Sequence, residues 1–190
     1  MESSYYEKIA NYSICIDDGV PFELQSGWEF IRFKGIWQLL SGRDLKPDEY
    51  NSEVDGIPYI TGASNFANGS VSIVRWTHKP QVISEIGDLL LTCKGTVGEI
   101  AVNDFGNAHI ARQVMAIRNI YNLNSDYLML CIKYYLDMLI KNAKGLIPGI
   151  SREDILNLIL PVPPQDYQQK VVVRVKELNA LLCNVEHGLS

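Results

Sequence analysis

Between Gly87 and Val102 the chain reads GDLLLTCKGTVGEIAV, which sets Lys94, Gly95, Thr96 and Gly98 between two apolar runs. An ammonium, a hydroxyl and two glycines at such a corner can cradle a phosphate, shape a pocket or simply turn the chain. A nucleotide-binding loop requires the order G-x-x-x-x-G-K-[ST]. Here the order is Lys-Gly-Thr, with no glycine five residues before the lysine. A dinucleotide fingerprint requires a helix after its last glycine, and no helical pattern follows Gly98. Asp88 and Glu99 flank the lysine like a nuclease carboxylate pair, yet both read as strand-end residues facing solvent. PVPPQ (161–165) falls near the Asp/Asn-Pro-Pro-Tyr pattern of amino-methyltransferases, but Val162 stands where the acid or amide is needed and Gln165 where the aromatic is needed. There is no nucleophile elbow and no His-Glu-x-x-His, so no complete catalytic set is legible. Cys15, Cys93, Cys131 and Cys183 are scattered, as are His78, His109 and His187. That spacing predicts neither a zinc site nor any other cofactor, and scattered unpaired thiols fit a reducing, cytoplasmic setting.

The elements that must position this corner follow from the patterning of 190 residues, 47% of them hydrophobic and 21% charged. That is a globular profile. No apolar run is long enough to cross a membrane, and the N-terminus lacks the apolar core of a secretory signal. Residues 1–27 read as an irregular lead-in. From Trp28, WEFIRF alternates as a strand and GIWQLL reads as a short helix closed by Ser41-Gly42. IPYIT, VSIVRW, GDLLLTC and GEIAV read as strands, with a further one centred on Val114–Ile117. Ser125 is placed to cap a helix over 126–144, with Gly145 as its stop. Ser151 and Asp154 resemble a capping pair, and LNLILPVPP is extended. Strands first and helices later predict an α+β fold with a curved mixed sheet and packed helices. In the last segment, Val171, Val175, Leu178, Leu182 and Val185 are spaced 4, 3, 4, 3, a heptad seam widened by Val172 and Leu181. This coiled-coil-type helix can pack on its own domain or pair with another chain; the expectation is that it projects at least partly. The resulting division is lead-in 1–27, domain 28–164 and heptad helix 165–190.

GIPYITGASNF, GDLLLTCKGTVGEIAV, AHIARQVMAIR and IPGISREDILNLILPVPPQDYQQKVV, in that order, resemble the target recognition domain of type I restriction–modification specificity subunits. The lead-in resembles the segment that precedes such a domain. The resemblance covers about Tyr5 to Glu186 and amounts to half a subunit: one recognition domain and the first heptads of the spacer helix. It implies a non-catalytic component that reads half of a bipartite double-stranded DNA target. It also implies docking of methyltransferase subunits, which restriction subunits join, and pairing of the spacer helices.

On that resemblance, Lys94 and Thr96 are candidates to present donors to phosphates or base edges. Arg43 and Lys46, from the long polar loop, join them, with Thr61, Ser64 and Asn65 from TGASNF. Asn and Gln can pair bidentately with adenine and Arg with guanine. Arg112 and Gln113 are adjacent, so on a strand they would point to opposite faces and only one would reach DNA. The competing reading of each is a solvated loop residue, and of the corner a plain hairpin. Trp28, Trp37, Tyr59 and Trp76 read as core or rim packing. Weak homodimerisation is expected through Val171, Val175, Leu178, Leu182 and Val185. Two alternatives stand beside this: a recognition domain of a fused restriction–methyltransferase enzyme, and a protein-interaction adaptor without DNA contact, which the net charge of −5 favours.

Overall fold

Leu89, Leu90 and Leu91 are each at most 1% exposed. A strand buried on both faces needs a layer on either side of it, and that requirement organises the molecule. The computed structural model describes residues 4–9, 11–17, 22–35, 37–121, 123–142 and 149–188. The strands are β1 (Tyr6–Ile9), β2 (Tyr12–Cys15), β3 (Glu29–Arg32), β4 (Trp37–Ser41), β5 (Ile57–Ile60), β6 (Phe66–Ala67), β7 (Ser70–Val71), β8 (Trp76–Thr77), β9 (Ile83–Ser84), β10 (Leu89–Thr92), β11 (Ile100–Val102), β12 (Ala108–Ile110), β13 (Val114–Asn119) and β14 (Ile159–Val162). The helices are α1 (Ser125–Asn142), α2 (Arg152–Leu156) and α3 (Gln165–Gly188).

One antiparallel sheet has the order β11-β10-β13-β4. The other, β8-β5-β12-β9, is mixed, because β5 and β12 run parallel while the remaining pairs are antiparallel. Leu90, Val114 and Ala116 face the second sheet and meet Ile60, Ala108 and Ile110. Leu89, Leu91, Met115, Ile117 and Leu39 face the helices, where Leu128, Ile132 and Leu136 of α1 and Ile155 of α2 complete the core. The α+β class with a mixed sheet and packed helices is therefore correct, and among the described residues the strands form two four-stranded sheets and the two-stranded pairs β1-β2, β14-β3 and β6-β7. Tyr127 and Tyr135 of α1 donate their hydroxyls to the carbonyls of Pro161 (2.7 Å) and Ile159 (2.8 Å), which ties α1 to β14. Burial between these tyrosines pushes the Cys131 thiol up to about 11.

Several local expectations change. Within GIWQLL, residues 37–40 are strand and not helix. Its described part, β4, pairs with β13, with Leu39 opposite Ile117; six residues are too few to nucleate a helix against a waiting sheet partner. The lead-in is not irregular throughout, since β1 and β2 form a hairpin and Tyr5 and Phe22 pack against Phe30. VSIVRW is extended in the sheet only at its ends, in β7 and β8. Asn124, not Ser125, caps α1 by accepting from Tyr127 N–H at 3.0 Å, while Gly145 lies outside the described residues. The Ser151–Asp154 capping box is present. Asp88 does not face solvent: it is 2% exposed and holds Arg118 through both Nε (3.1 Å) and a terminal nitrogen (2.9 Å). Among the described residues no helix is long and apolar enough to cross a membrane.

His109, fully buried in β12, is stacked on Tyr59 with ring centroids 5.0 Å apart. Its Nε2 lies 2.9 Å from the Arg43 carbonyl, and Nδ1 lies 3.0 Å from the Val82 carbonyl and 3.3 Å from Val82 N–H. Each ring nitrogen thus has a carbonyl acceptor within reach, and a neutral ring donates to one of the two. The nearby carbonyls of Val82 and Arg43 and the charges of Asp44 and Glu49 favour the cation, but burial outweighs them and holds the ring below its ordinary value of 6.5. The unfolded ring therefore binds a proton that the folded ring refuses. This contribution is intact above about pH 6.5 and is lost as pH falls towards the depressed folded value. The urea midpoint should drop between pH 7 and 5.5, and His109→Gln should flatten that drop; equal slopes would locate the acid sensitivity elsewhere.

Candidate nucleic-acid interface

The chain leaves one sheet at Ile110 and enters the other at Val114, so Ala111, Arg112 and Gln113 form a turn between the sheets. The loops at that end hydrogen-bond to it. Gly42 N–H donates to Val114 O (3.2 Å) and Arg43 N–H to Ile110 O (2.9 Å). Ala111 N–H donates to Ile60 O (2.8 Å), and Cys93 N–H to Gln113 O (2.8 Å). Ile150 N–H reaches Cys93 O at 2.9 Å, and Lys94 forms an isolated bridge with Gly149. Glycine is required at 42, where a Cβ would lie 2.1 Å from the Ala111 carbonyl oxygen.

This brings the candidate residues to one end of the paired sheets. Arg43, Lys46, Ser64, Lys94 and Thr96 are exposed on their loops. Arg112 and Gln113 occupy the turn and not a strand, and both are exposed, so the opposite-face expectation fails. Arg112 Nε lies 2.7 Å from the Asp44 carboxylate, which also accepts Arg112 N–H at 3.1 Å. The Gln113 amide lies over two glycines: a Cβ on Gly62 would be 2.3 Å from its Oε1 and one on Gly95 3.7 Å. Gly95 and Gly98 adopt positive φ (+76° and +99°), as the Lys94–Gly98 corner needs.

Asn65 must be withdrawn from the base-reading candidates. It is 1% exposed, and its Oδ1 accepts from Thr61 N–H (2.9 Å), the Thr61 hydroxyl (3.0 Å) and Gly62 N–H (3.3 Å). Its Nδ2 donates to Ser72 O at 2.8 Å. Asn65 and Thr61 therefore shape the loop that presents Ser64. Asp44 was not foreseen; a carboxylate beside Arg43 in a polar loop carries no sign of its partner 68 residues away. Arg152 was also missed: it donates to the Leu39 carbonyl and the Ser41 hydroxyl, joining α2 to β4.

The seam of α3 divides in two. Val172 is fully buried against the domain and so does not widen an outward seam. Val171 and Val175 are half-buried beside a cavity of about 220 Å³, lined also by Trp28, Leu130 and Tyr134. Beyond them Leu178, Leu181, Leu182 and Val185 are 45–62% exposed, so the second half of the helix projects.

The family described as the type I restriction modification DNA specificity domain matches residues 25–189. The chain is 22% identical over 164 residues to a putative type I restriction enzyme MjaX specificity subunit of Methanocaldococcus jannaschii, covering 84% of this chain and 38% of that protein. It is 22% identical over 179 residues to the EcoAI specificity subunit of Escherichia coli, covering 85% of this chain and 30% of that one. Its fold is similar to the HsdS subunit from Thermoanaerobacter tengcongensis, with a TM-score of 0.78 at 23% identity over 90% of this chain and 42% of that one. The chain thus spans about two fifths or less of the length of these relatives.

Because Asn65 satisfies four polar groups of its loop, Asn65→Ala should destabilise the fold by about 1–3 kcal/mol. Chemical denaturation measures this, and an unchanged midpoint would return Asn65 to the surface-facing set.

Proposed function

The chain belongs to the type I restriction–modification DNA specificity domain family, and from that premise we propose that it is a non-catalytic reader of one half of a bipartite double-stranded DNA target. The observation that carries this reading is the convergence of three polar loops, those after β4, β5 and β10, on the Ala111–Gln113 crossing. Arg43, Lys46, Lys94 and Arg112 supply cations for phosphates. Gln113, exposed above Gly62 and Gly95, supplies the planar amide that matches an adenine edge, and Ser64 and Thr96 add hydroxyls. No step of bond chemistry is assigned to the chain; methylation and cleavage belong to subunits that dock on it. The names of its relatives, specificity subunits of type I restriction enzymes, support the partnership with a methyltransferase subunit and, through it, a restriction subunit.

The projecting part of α3 supports weak pairing with a second copy. Five seam residues at about 1.5–3 kcal/mol each give a gross 8–15 kcal/mol at most. Association costs about 4–15 kcal/mol, and Val171 and Val175 are already half covered by their own domain. The balance favours a weak dimer that partner subunits consolidate.

Two measurements test this reading. In the complex reconstituted with its methyltransferase subunit, Lys94→Ala should weaken methylation of all sites alike and lower the salt slope by about one. Gln113→Ala should cost about 1–3 kcal/mol and relax discrimination at a single base pair. Unchanged rate and slope for a folded Lys94→Ala would make Lys94–Gly98 a corner in the sheet and nothing more. In sedimentation, the wild type should associate weakly with rising concentration while Leu178→Glu stays monomeric; identical behaviour of the two would remove the seam as the contact.

A further inference from the structure

We infer that Gln168 is a positioning residue: it fixes the angle at which α3 leaves the domain, so that the helix acts as a rigid lever. Gln168 lies in the first turns of α3 and is only 1% exposed. Its Nε2 donates to the Pro163 carbonyl at 3.2 Å, and its Oε1 accepts from Asn124 N–H at 2.9 Å. Asn124 caps α1 through Tyr127 N–H and donates from Nδ2 to Gln169 Oε1 at 2.7 Å. One buried amide thus holds the linker that precedes α3 and the start of α1 together, and a second, exposed amide repeats the link. Farther along, Val172 is fully buried and Lys176 Nζ meets Asp126 at 2.8 Å. From Leu178 onward the apolar side chains stand in solvent, so the first turns alone set the direction. Tilting α3 would strand the Asn124 N–H, the Pro163 carbonyl and both ends of the Gln168 amide in an apolar setting, which buried polar groups resist.

The angle matters because the helix is long. Its 24 residues span roughly 36 Å, so a tilt of roughly 10° moves the tip by roughly 6 Å. That is nearly two base-pair steps of roughly 3.4 Å each. Under the DNA-reading function proposed above, on which only this consequence rests, a paired reader without such a lock would blur the spacing between its two half-sites.

The full chain carries its own labelling sites, since Cys15 and Cys183 are exposed while Cys93 and Cys131 are buried. Nitroxides on the exposed pair, in protein diluted with unlabelled chain so that only distances within one molecule are read, report the exit angle by pulsed EPR. Gln168→Met keeps the length of the side chain and removes its hydrogen bonds. The milder variant Gln168→Asn keeps a buried amide one methylene too short to span both partners, and serves where Gln168→Met fails to fold. Gln168→Met should widen the distance distribution by several ångströms with helix content unchanged, and Gln168→Asn should widen it less. A folded Gln168→Met with the wild-type width overturns the inference, as does a wild-type width in Gln168→Asn where Gln168→Met does not fold. No DNA or partner enters the measurement, so its failure is separable from a failure of DNA reading.

Discussion

The crossing from β12 to β13 is the constraint on which the rest depends. Ile110 ends a strand of one sheet and Val114 begins the central region of the other, with three residues between them. For so short a connection the two sheets must stay in contact at that end, which buries Leu90, Val114 and Ala116 against Ile60, Ala108 and Ile110. The same crossing exposes main-chain groups that the sheets cannot satisfy, and the loops after β4, β5 and β10 satisfy them. His109 closes the arrangement from below through the Arg43 carbonyl. The loops converge because backbone hydrogen bonds hold them there, and Ser64, Lys94 and Thr96 stand exposed on them. Asn65 and Thr61 instead hold their loop together, and Arg112 pairs with Asp44.

Much of this was legible in the sequence, for identifiable reasons. The apolar run of β10 and the 3.6-residue pattern of α1 are strong local signals, and Ser151 with Asp154 is a capping box whose geometry follows from residue type. GIWQLL misled because a short apolar run has no decisive period. Its state was set by β13, about 78 residues away, a partner that no local window contains. Asp88 misled for a similar reason: beside a glycine at a strand start, a carboxylate reads as solvated, and only the register of β10 against β13 brings Arg118 to it. Asn65 and Ser64 are indistinguishable as letters in a polar loop. What separates them is the curl of the loop, which turns one inward and the other out.

The acidic balance of the chain and the DNA-reading face proposed above are compatible on energetic grounds. Net charge governs long-range attraction, whereas contacts at a groove depend on charge within a Debye length of about 10 Å at moderate salt. Arg112 illustrates the local case. Its pair with Asp44 is exposed, with side-chain accessibilities of 69% and 45%, and pairs of that kind contribute about 0–1 kcal/mol. Such a contact does little to bind the arginine and much to aim it. Asp44 takes Nε and the main-chain N–H of Arg112, and the two terminal nitrogens of the guanidinium are not part of that pair. The carboxylate thus orients the cation, and it does so beside Gln113, whose amide oxygen lies where a side chain on residue 62 would stand. Under the DNA-reading function proposed above, an arginine aimed at phosphates and a glutamine beside it for a base edge let a chain of net charge −5 combine local attraction with discrimination.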